Sequence, residues 1–306
     1  MNPLEYSRYA HELVVAKPEL REEIELASEG GWTREAMVAY LRSGGNTDEP
    51  NSRLRRLRQR VMLRTMTRDL SGSADLGEVC GTMSALAEVA IGEALAFLEP
   101  EMAQGKPRPK LTVVGMGKLG GGELNVSSDI DLVFLYPHED EAAGNLEFFT
   151  RLGRRLIAAL DERTEDGFVF RVDMRLRPWG DGGALAASLD ALEEYFVTQG
   201  REWERYAWVK ARTVGGDGTG LAEIVRPFVY RKYLDYGTFG AMRELHSQIR
   251  AEVARRELSD QIKLGPGGIR EIEFIAQAFQ LIRGGRDPAL QVRATLAVLK
   301  LLAQKG

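Results

Sequence analysis

The stretch 111–136, LTVVGMGKLGGGELNVSSDIDLVFLY, decides the fold of this chain. It contains an apolar β-branched run, a glycine-rich turn, two serines, two aspartates and a second apolar run. Apolar runs bounded by glycine predict two strands, so Asp129 and Asp131 fall at or beside the start of the second strand. Side chains two residues apart on a strand share a face. The pattern therefore predicts two adjacent carboxylates directly after a glycine-lined loop.

The composition limits the class of protein. The chain has 306 residues, 44% hydrophobic and 28% charged, which is typical of one or two globular domains. A net charge of -4 gives no general basic field, so we expect no nucleic-acid partner. We also expect no membrane partner, because no apolar run approaches the ~20 residues of a membrane span. The single cysteine suits a cytoplasmic location, and an end directly after a helical pattern indicates a fragment of a longer chain.

The periodicity of the chain predicts three regions. Residues 1–105 form a helical N-terminal region, residues 106–215 a core that contains the strands, and residues 216–306 a helical C-terminal region. Together they predict an α+β fold with a small mixed β-sheet. Within the first region, residues 53–70 form an arginine-rich helix. Such a helix can bind RNA or a membrane, but arginines that are solvated on one face or paired with a neighbouring acidic helix are the favoured interpretation.

A second charged element follows the central stretch. Residues 168–176, FVFRVDMRL, alternate like a strand, with Arg171, Asp173 and Arg175 in a row on one face. Charges on a strand usually face solvent. Three that alternate around one carboxylate would suit a phosphate site.

Two nucleotide motifs can be excluded for the glycine turn. Residues 115–120, GMGKLG, match the dinucleotide fingerprint, but only a handful of residues separate Gly122 from the next strand. That interval leaves no room for the crossover helix that the fingerprint requires. A P-loop is also excluded, because Lys118 is followed by Leu119 and the hydroxyl that binds magnesium is missing.

The three aspartates predict a metal site. Mg²⁺ prefers carboxylate oxygens and keeps positions for water and substrate phosphates, and two such ions can support in-line displacement at phosphorus. Asp129 and Asp131 supply a pair, and Asp173 is the candidate third ligand. For an isolated D-x-D pair the favoured interpretation would be structural, with Asp129 as a turn or cap residue and Asp131 as a solvated strand position. The glycines, the serines and the third aspartate favour a catalytic role in metal binding.

The loop before the aspartates predicts phosphate binding. Backbone N–H groups and serine hydroxyls can donate to phosphate oxygens, and basic side chains can neutralise transferring charge. The predicted phosphate-binding or nucleotide-binding residues are Gly115, Gly117, Lys118, Gly120, Gly121, Ser127, Ser128, Arg175 and Arg177.

Two later motifs are also rich in charge. The charged residues of GREWERYAWVKAR and IKLGPGGIREIEF are Glu202, Arg205, Lys210 and Arg212, then Arg270, Glu271 and Glu273. Structural ion pairs that bridge the sheet and the helical domain, and direct contact with substrate, are equally favoured for these residues.

The motifs together resemble a known family. GMGKLGGGELNVSSDIDL is similar to the nucleotidyltransferase signature of the DNA polymerase beta superfamily. With RVDMRLRPWGDGG and the two later motifs, it resembles more closely the bacterial bifunctional glutamine synthetase adenylyltransferase/adenylyl-removing enzymes, over roughly residues 50–300. The sequence GGGELNVSSDIDL resembles the corresponding motif in the N-terminal half of those enzymes, which removes AMP from a modified tyrosine by phosphorolysis.

The resemblance implies a polymerase beta-like sheet, Mg²⁺ as cofactor, and metal-binding roles for Asp129, Asp131 and Asp173. It implies adenylylated glutamine synthetase, phosphate and ADP as partners, with a PII signal protein as a further candidate. Two alternatives stay open. This half could adenylylate glutamine synthetase with ATP, or it could be a non-catalytic module that senses a nucleotide or PII.

Overall fold

The computed structural model describes residues 3–43, 49–137, 145–232, 261–263 and 265–305, with positions 240, 244, 247 and 255. Across these residues the chain forms many helices and one small mixed sheet, which confirms the predicted α+β fold. Much of the predicted C-terminal helical region between 233 and 260 lies outside the described residues. The helices are α1 (Arg8–Ala16), α2 (Glu22–Glu25), α3 (Arg34–Ser43), α4 (Pro50–Leu70), α5 (Leu76–Ala103), α6 (Gly117–Gly121), α7 (Asn145–Asp161), α8 (Leu189–Thr198), α9 (Glu202–Trp208), α10 (Leu221–Val229), α11 (Ile269–Arg283) and α12 (Thr295–Lys305).

The sheet has the strand order β3-β2-β1-β5, and β4 also pairs with β2. Strand β1 pairs antiparallel with both β2 and β5, whereas β3 and β4 pair parallel with β2. A dinucleotide-binding βαβ unit needs parallel strands on both sides of its glycine turn. The antiparallel β1–β2 pair therefore confirms that exclusion. The strands are β1 (Thr112–Gly115), β2 (Ile130–Tyr136), β3 (Val172–Asp173), β4 (Ala186–Ser188) and β5 (Arg212–Gly215).

The chain forms two compact units. The first consists of Met1–Ser188 with Arg212–Asp217, and the second of Leu189–Ala211 with Gly218–Gly306. The first unit contains the N-terminal helices and the whole sheet, packed around one hydrophobic core. The second unit is helical in the part of it that the structure describes. The three predicted regions follow the sequence and do not coincide with these units.

Helix α5 is the central helix of the first unit. By length and composition alone it could cross a membrane, although the sequence analysis found no segment of that kind. Twelve of its residues are buried inside the unit, and it packs against α3, α4, α7 and β5. Packing in the core accounts for its apolar surface, since a buried core helix can be as long and as apolar as a membrane span.

The arginines of α4 are largely paired within the first unit. Arg60 donates to Glu23 Oε1 at 2.7 Å and Arg64 to Glu23 Oε2 at 2.8 Å, and the Glu23 side chain is only 1% exposed. Arg68 pairs in the same way with Glu78. The favoured interpretation of the basic helix is therefore confirmed for these residues, because buried charges require partners.

The predicted strand 168–176 is wrong in length, since only β3, two residues long, pairs with the sheet. The N–H groups of Val169 and Phe170 both donate to the carbonyl oxygen of Leu160, at 2.8 and 2.9 Å. This contact ties the start of the segment to the end of α7. After β3, Asp173 Oδ1 accepts from the backbone N–H of Arg175 at 2.9 Å, and this local turn ends the strand.

Candidate functional site

The parallel pairing of β2 with β3 brings two of the predicted carboxylates side by side. Its register aligns Ile130 with Val172 and Asp131 with Asp173. Neighbouring strands lie about 4.8 Å apart, so the side chains of Asp131 and Asp173 can share one ligand. Asp129 immediately precedes β2 and is exposed, whereas Asp131 and Asp173 are half-buried.

The glycine turn between β1 and β2 packs closely against this pair. Gly117 has a φ of 50°, and a Cβ atom there would lie 2.7 Å from Asp131 Oδ2. Only glycine therefore lets the backbone approach the carboxylate so closely. Gly115 and Gly120 are buried, and a Cβ at Gly115 would lie 2.6 Å from Val214 Cγ1, so Gly115 is needed for packing. The predicted loop is a helix of one turn, α6, which includes Gly121.

The lysine and the two serines predicted to bind phosphate meet at Asn125. Lys118 Nζ donates to Ser128 Oγ at 3.4 Å, and Ser128 Oγ donates to Asn125 Oδ1 at 2.9 Å. The backbone N–H of Ser127 donates to the same oxygen at 3.1 Å. Asn125, which sequence reasoning missed, positions both serines. The position of Asn125 between the glycine turn and the serines could have predicted this role, because Asn side chains often form such local turns.

Two arginines pair with the carboxylates of Asp129 and Asp173. Arg171 pairs with Asp129 and donates to the Ser127 carbonyl at 2.9 Å. Arg175 Nε donates to both oxygens of Asp173, at 3.1 and 2.9 Å. The hydrogen bonds from the Arg175 side chain hold the pKa of Asp173 below its usual value. Sequence reasoning placed Arg171 on the charged face but gave it no role.

A cavity of about 410 Å³ opens at this end of the sheet. Its lining residues are Asp129, Arg171, Val172, Asp173, Met174, Arg175 and Asp181. The structure thus brings Asp129 and Asp173 to one cavity, with Asp131 paired to the second of them in the β-sheet register. Asp181, from the GDGG turn, is a further acid that sequence reasoning missed.

Arg177 does not line this cavity but bonds to two residues that do, Met174 and Asp181. Its Nη1 donates to the Met174 carbonyl at 2.8 Å and to Asp181 Oδ1 at 3.4 Å. Its Nε is buried and has no partner among the described residues. The structure therefore places Arg177 where it supports the turn and keeps donor capacity close to the acids.

The donor set fits magnesium. Three carboxylates from two adjacent segments provide the oxygen ligands that this ion prefers, and Gly117 keeps the space beside Asp131 open. Within the described ranges, no three Asp, Glu, His or Cys side chains are already gathered around one cation position. Two of the three carboxylates, those of Asp129 and Asp173, are instead paired with arginines.

Comparison with known proteins gives the family. Residues 4–224 match the family model of glutamate-ammonia ligase adenylyltransferase, and residues 243–306 match that of GlnD PII-uridylyltransferase. The first match covers more than half of the chain. This chain belongs to the glutamate-ammonia ligase adenylyltransferase family. The predicted resemblance is thereby confirmed.

Relatives of the same family are similar over nearly the whole chain. The bifunctional glutamine synthetase adenylyltransferase/adenylyl-removing enzymes of Chromobacterium violaceum and Nitrosomonas eutropha are each 55% identical to it, over 98% and 99% of this chain. That of Nitrosomonas europaea is 53% identical over 99% of this chain. The chain spans about a third of the length of these relatives, 35% in each case.

In this member of the adenylyltransferase family, one residue of the motif GREWERYAWVKAR supports the glycine turn. Arg212 Nε donates to the Gly120 carbonyl at 3.0 Å, and its Nη2 donates to the Leu119 carbonyl at 3.1 Å. The same side chain pairs with Glu88 of α5. Arg212 therefore fixes α6 between β5 and α5 without reaching the cavity.

Other charged residues of the two later motifs form ion pairs inside the second unit. Lys210 Nζ donates to Glu273 Oε1 at 2.8 Å and to Thr295 Oγ1 at 3.0 Å, and the Lys210 side chain is 4% exposed. Arg205, which is fully buried, donates to the Phe228 carbonyl at 3.1 Å and pairs with Glu202 at 2.6 Å. For these residues the contacts are structural ion pairs, but they lie inside the second unit and do not bridge the sheet and the helical region as predicted.

Proposed function

We propose that this chain carries a nucleotidyl-transfer site that removes AMP from adenylylated glutamine synthetase by phosphorolysis. The observation that carries the proposal is the β2–β3 register, which pairs Asp131 with Asp173 beside a cavity that Asp129 also lines. The direction of the reaction rests on the resemblance of GGGELNVSSDIDL to the adenylyl-removing half of the family. The names of the relatives include both activities.

Asp129, Asp131 and Asp173 are the residues that would hold Mg²⁺. When bound, the ion supplies charge stabilisation at the phosphorus under attack and at the leaving oxygen. The exposed guanidinium groups of Arg171 and Arg175 would leave the carboxylates and become available to phosphate oxygens. Such exposed pairs are worth only about 0–1 kcal/mol, so exchanging them costs little.

The remaining residues of the turn would orient the phosphates. Lys118 and the hydroxyl of Ser128 point to one another at 3.4 Å, and both can donate to phosphate oxygens. Ser127 and the N–H groups of the turn would add further donors. In the reaction an oxygen of inorganic phosphate attacks the phosphorus of the AMP–tyrosine ester. The bond from phosphorus to the phenolic oxygen breaks, and ADP and tyrosine are formed.

The partners of this activity are proposals as well. Adenylylated glutamine synthetase and phosphate would be the substrates, ADP would be released, and the reaction would take place in the cytoplasm. The match of residues 243–306 to a PII-uridylyltransferase family model supports a PII-type signal protein as a regulatory partner.

The direct experiment compares two pairs of substrates. The chain is incubated with Mg²⁺, phosphate and adenylylated glutamine synthetase, and in parallel with Mg²⁺, ATP and the unmodified enzyme. We expect ADP in the first reaction and no incorporation of AMP in the second. The Asp131→Asn variant is the control for the site and should be inactive in both.

Adenylylation with ATP is the second candidate, since the matching family model is described as an adenylyltransferase. Incorporation of AMP without release of ADP would establish this direction and reject ours. Nucleotide binding without turnover in either reaction would instead favour the non-catalytic module.

A further inference from the structure

A second cavity, of about 360 Å³, lies in the first unit beside the serine loop. Residues from four segments line it: the N-terminal segment, α4, the chain just before β2 and the chain just before β3. Six of them carry the argument that follows, namely Arg58, Met62, Met66, Ser128, Phe168 and Arg171. Ser127, Ser128 and Arg171 line one part of it and have proposed roles towards phosphate, whereas the rest of its lining has no proposed role so far.

Arg58 distinguishes this cavity from the rest of α4. Its Nη1 donates to the Tyr9 hydroxyl at 3.3 Å, and its Cζ lies 4.5 Å from the centre of the Phe168 ring. Its Nε is buried and has no partner, and its guanidinium pairs with no carboxylate, among the described residues. Arg60 and Arg64, on the same helix, do pair with Glu23.

A cationic group in this setting favours an anionic ligand. Burial lowers the pKa of Arg58, and the charge of Arg171 acts in the same direction. Two guanidinium groups therefore face this region, and Asp129, the carboxylate paired with Arg171, is half exposed. A negatively charged group bound here would compensate the charge of Arg58.

The cavity has one polar end and an apolar body. Arg171 lines this cavity as well as the one that Asp129 and Asp173 share. Ser127 and Ser128, which directly precede Asp129, form the rest of the polar end. Methionines, Val126 and two phenylalanines form the body. Methionine packs well on aromatic rings, so the body suits a flat apolar group joined to an anion.

We propose that this second cavity binds the ring of a tyrosyl phosphate ester, with the ester phosphate at the polar end beside Asp129. The inference rests on the proposed function, in which the ester is the adenylylated tyrosine of the substrate protein. Free phosphate would leave the apolar walls uncovered. An aryl phosphate fills both parts of the cavity, and its phosphorus lies towards the catalytic carboxylates.

In this position the cavity holds the leaving group. As hydrogen phosphate attacks phosphorus, the electron pair of the breaking bond moves to the phenolic oxygen. The proton of hydrogen phosphate ends on that oxygen, so the products are ADP and tyrosine. Arg58 and Arg171 neutralise the negative charge that develops on the phenolic oxygen before it is protonated.

NMR of the full chain tests this inference with phenyl phosphate as the probe and methyl phosphate as the control that lacks a ring. The chain is labelled with ¹³C at the methyl groups of its nine methionines, and no Mg²⁺ is added. We expect ring-current shifts at Met62 and Met66 with phenyl phosphate, and at least about 10-fold weaker binding of methyl phosphate. Equal affinities, or shifts confined to other methionines, would overturn the inference.

Three variants separate Arg58 from its neighbours. Arg58→Met should weaken phenyl phosphate binding by about 10-fold, as expected for the loss of a charged donor, and Arg58→Lys should lie between it and the wild type. Arg56→Met is the matched control, because Arg56 is on the same helix, half-exposed and paired with Asp166, outside the cavity lining. If Arg58→Met and Arg56→Met have the same effect, or if Arg58→Lys binds no better than Arg58→Met, the assignment of Arg58 is overturned.

Turnover separates this inference from the proposed function. With adenylylated glutamine synthetase, Arg58→Met should raise KM or lower kcat for ADP release, whereas Arg56→Met should do neither. ADP release by the wild type with no effect of Arg58→Met would overturn the cavity assignment alone. Phenyl phosphate binding that depends on Arg58, without ADP release by the wild type, would overturn the proposed function and with it the adenylylated tyrosine as the occupant.

Discussion

The acidic cavity of the first unit and the ion pairs of the second unit are built from the same residue types but in opposite ways. Asp129 and Asp173 pair with Arg171 and Arg175, whose side chains are 49% and 77% exposed. In the second unit, Lys210 is buried and bonds to Glu273 and also to Thr295. Charged motifs alone therefore do not distinguish a functional site from a structural network of ion pairs. The two are distinguished by whether the charged side chains are exposed to solvent and can exchange their partners.

The energetics of the two regions differ accordingly. An exposed ion pair contributes about 0–1 kcal/mol, so a metal ion or a phosphate can replace it readily. Removing one partner of a buried pair costs about 3–5 kcal/mol, because the other charge is left without compensation. The first arrangement can exchange ligands during a reaction, whereas the second stabilises the fold.

The largest expected effect belongs to the acidic cavity. Asp131→Asn removes one of the carboxylates that we propose to bind the metal and should lower nucleotidyl transfer by about 1,000-fold, which corresponds to about 4 kcal/mol of transition-state stabilisation. The free energy of unfolding should change by less than about 1 kcal/mol. Steady-state kinetics and urea unfolding measure the two quantities. Near-normal turnover of the variant would show that Asp131 has no role in the reaction.

The reverse is expected in the second unit. Lys210→Met removes the donor to Glu273 and Thr295 and should lower the free energy of unfolding by about 1–3 kcal/mol, less than for a fully buried pair because the Glu273 side chain is 27% exposed. Turnover per folded molecule should be unchanged in conditions where the variant is folded. Urea unfolding followed by circular dichroism measures the loss. A variant that is as stable as the wild type but inactive would show that Lys210 has a functional role and not a structural one.

Much of the acidic cavity could be predicted from sequence, because the alternation of side chains on β2 and the composition of the glycine turn are local properties. The pairing of Asp131 with Asp173 needed only the correct register of one short strand. The true length of that strand depended on the Leu160 carbonyl, which binds the chain before β3. No local pattern predicts such a contact, which joins the end of a helix to a segment further along the chain.

The partners of the charged residues were harder to predict than the charges themselves. Arg171 was visible as one of three alternating charges, but its pairing with Asp129 requires the folded sheet. Gly115 and Gly117 look alike in sequence, yet one provides space for Val214 and the other for the Asp131 carboxylate. The choice between structural pairing and substrate contact for Lys210 depended on burial, which charge patterns do not encode.

A smaller effect is expected at the glycine turn. Gly117→Ala places a Cβ 2.7 Å from Asp131 Oδ2 at a φ of 50°, so it should cost about 1–2 kcal/mol of stability and also lower turnover. Gly92→Ala is the matched control, because Gly92 is an exposed helical residue with open space around its Cβ position. This control should gain about 0.5–1 kcal/mol. Equal effects of the two substitutions on turnover would show that the turn does not position Asp131.

The smallest effect is expected for the exposed pair itself. Arg171→Gln should change the free energy of unfolding by less than about 1 kcal/mol, since both partners are about half exposed. A double-mutant cycle with Asp129→Asn measures the coupling directly. A coupling of several kcal/mol would mean that the pair is structural, as in the second unit.

The fate of labelled phosphate shows whether this chain removes AMP by phosphorolysis. The chain is incubated with Mg²⁺, adenylylated glutamine synthetase and [³²P]orthophosphate, and the nucleotide products are separated. With the wild type we expect the label in the β-phosphate of ADP, and with Asp131→Asn we expect no labelled ADP. Label that remains in orthophosphate with the wild type would contradict phosphorolysis, whether AMP is released unlabelled or stays on the protein.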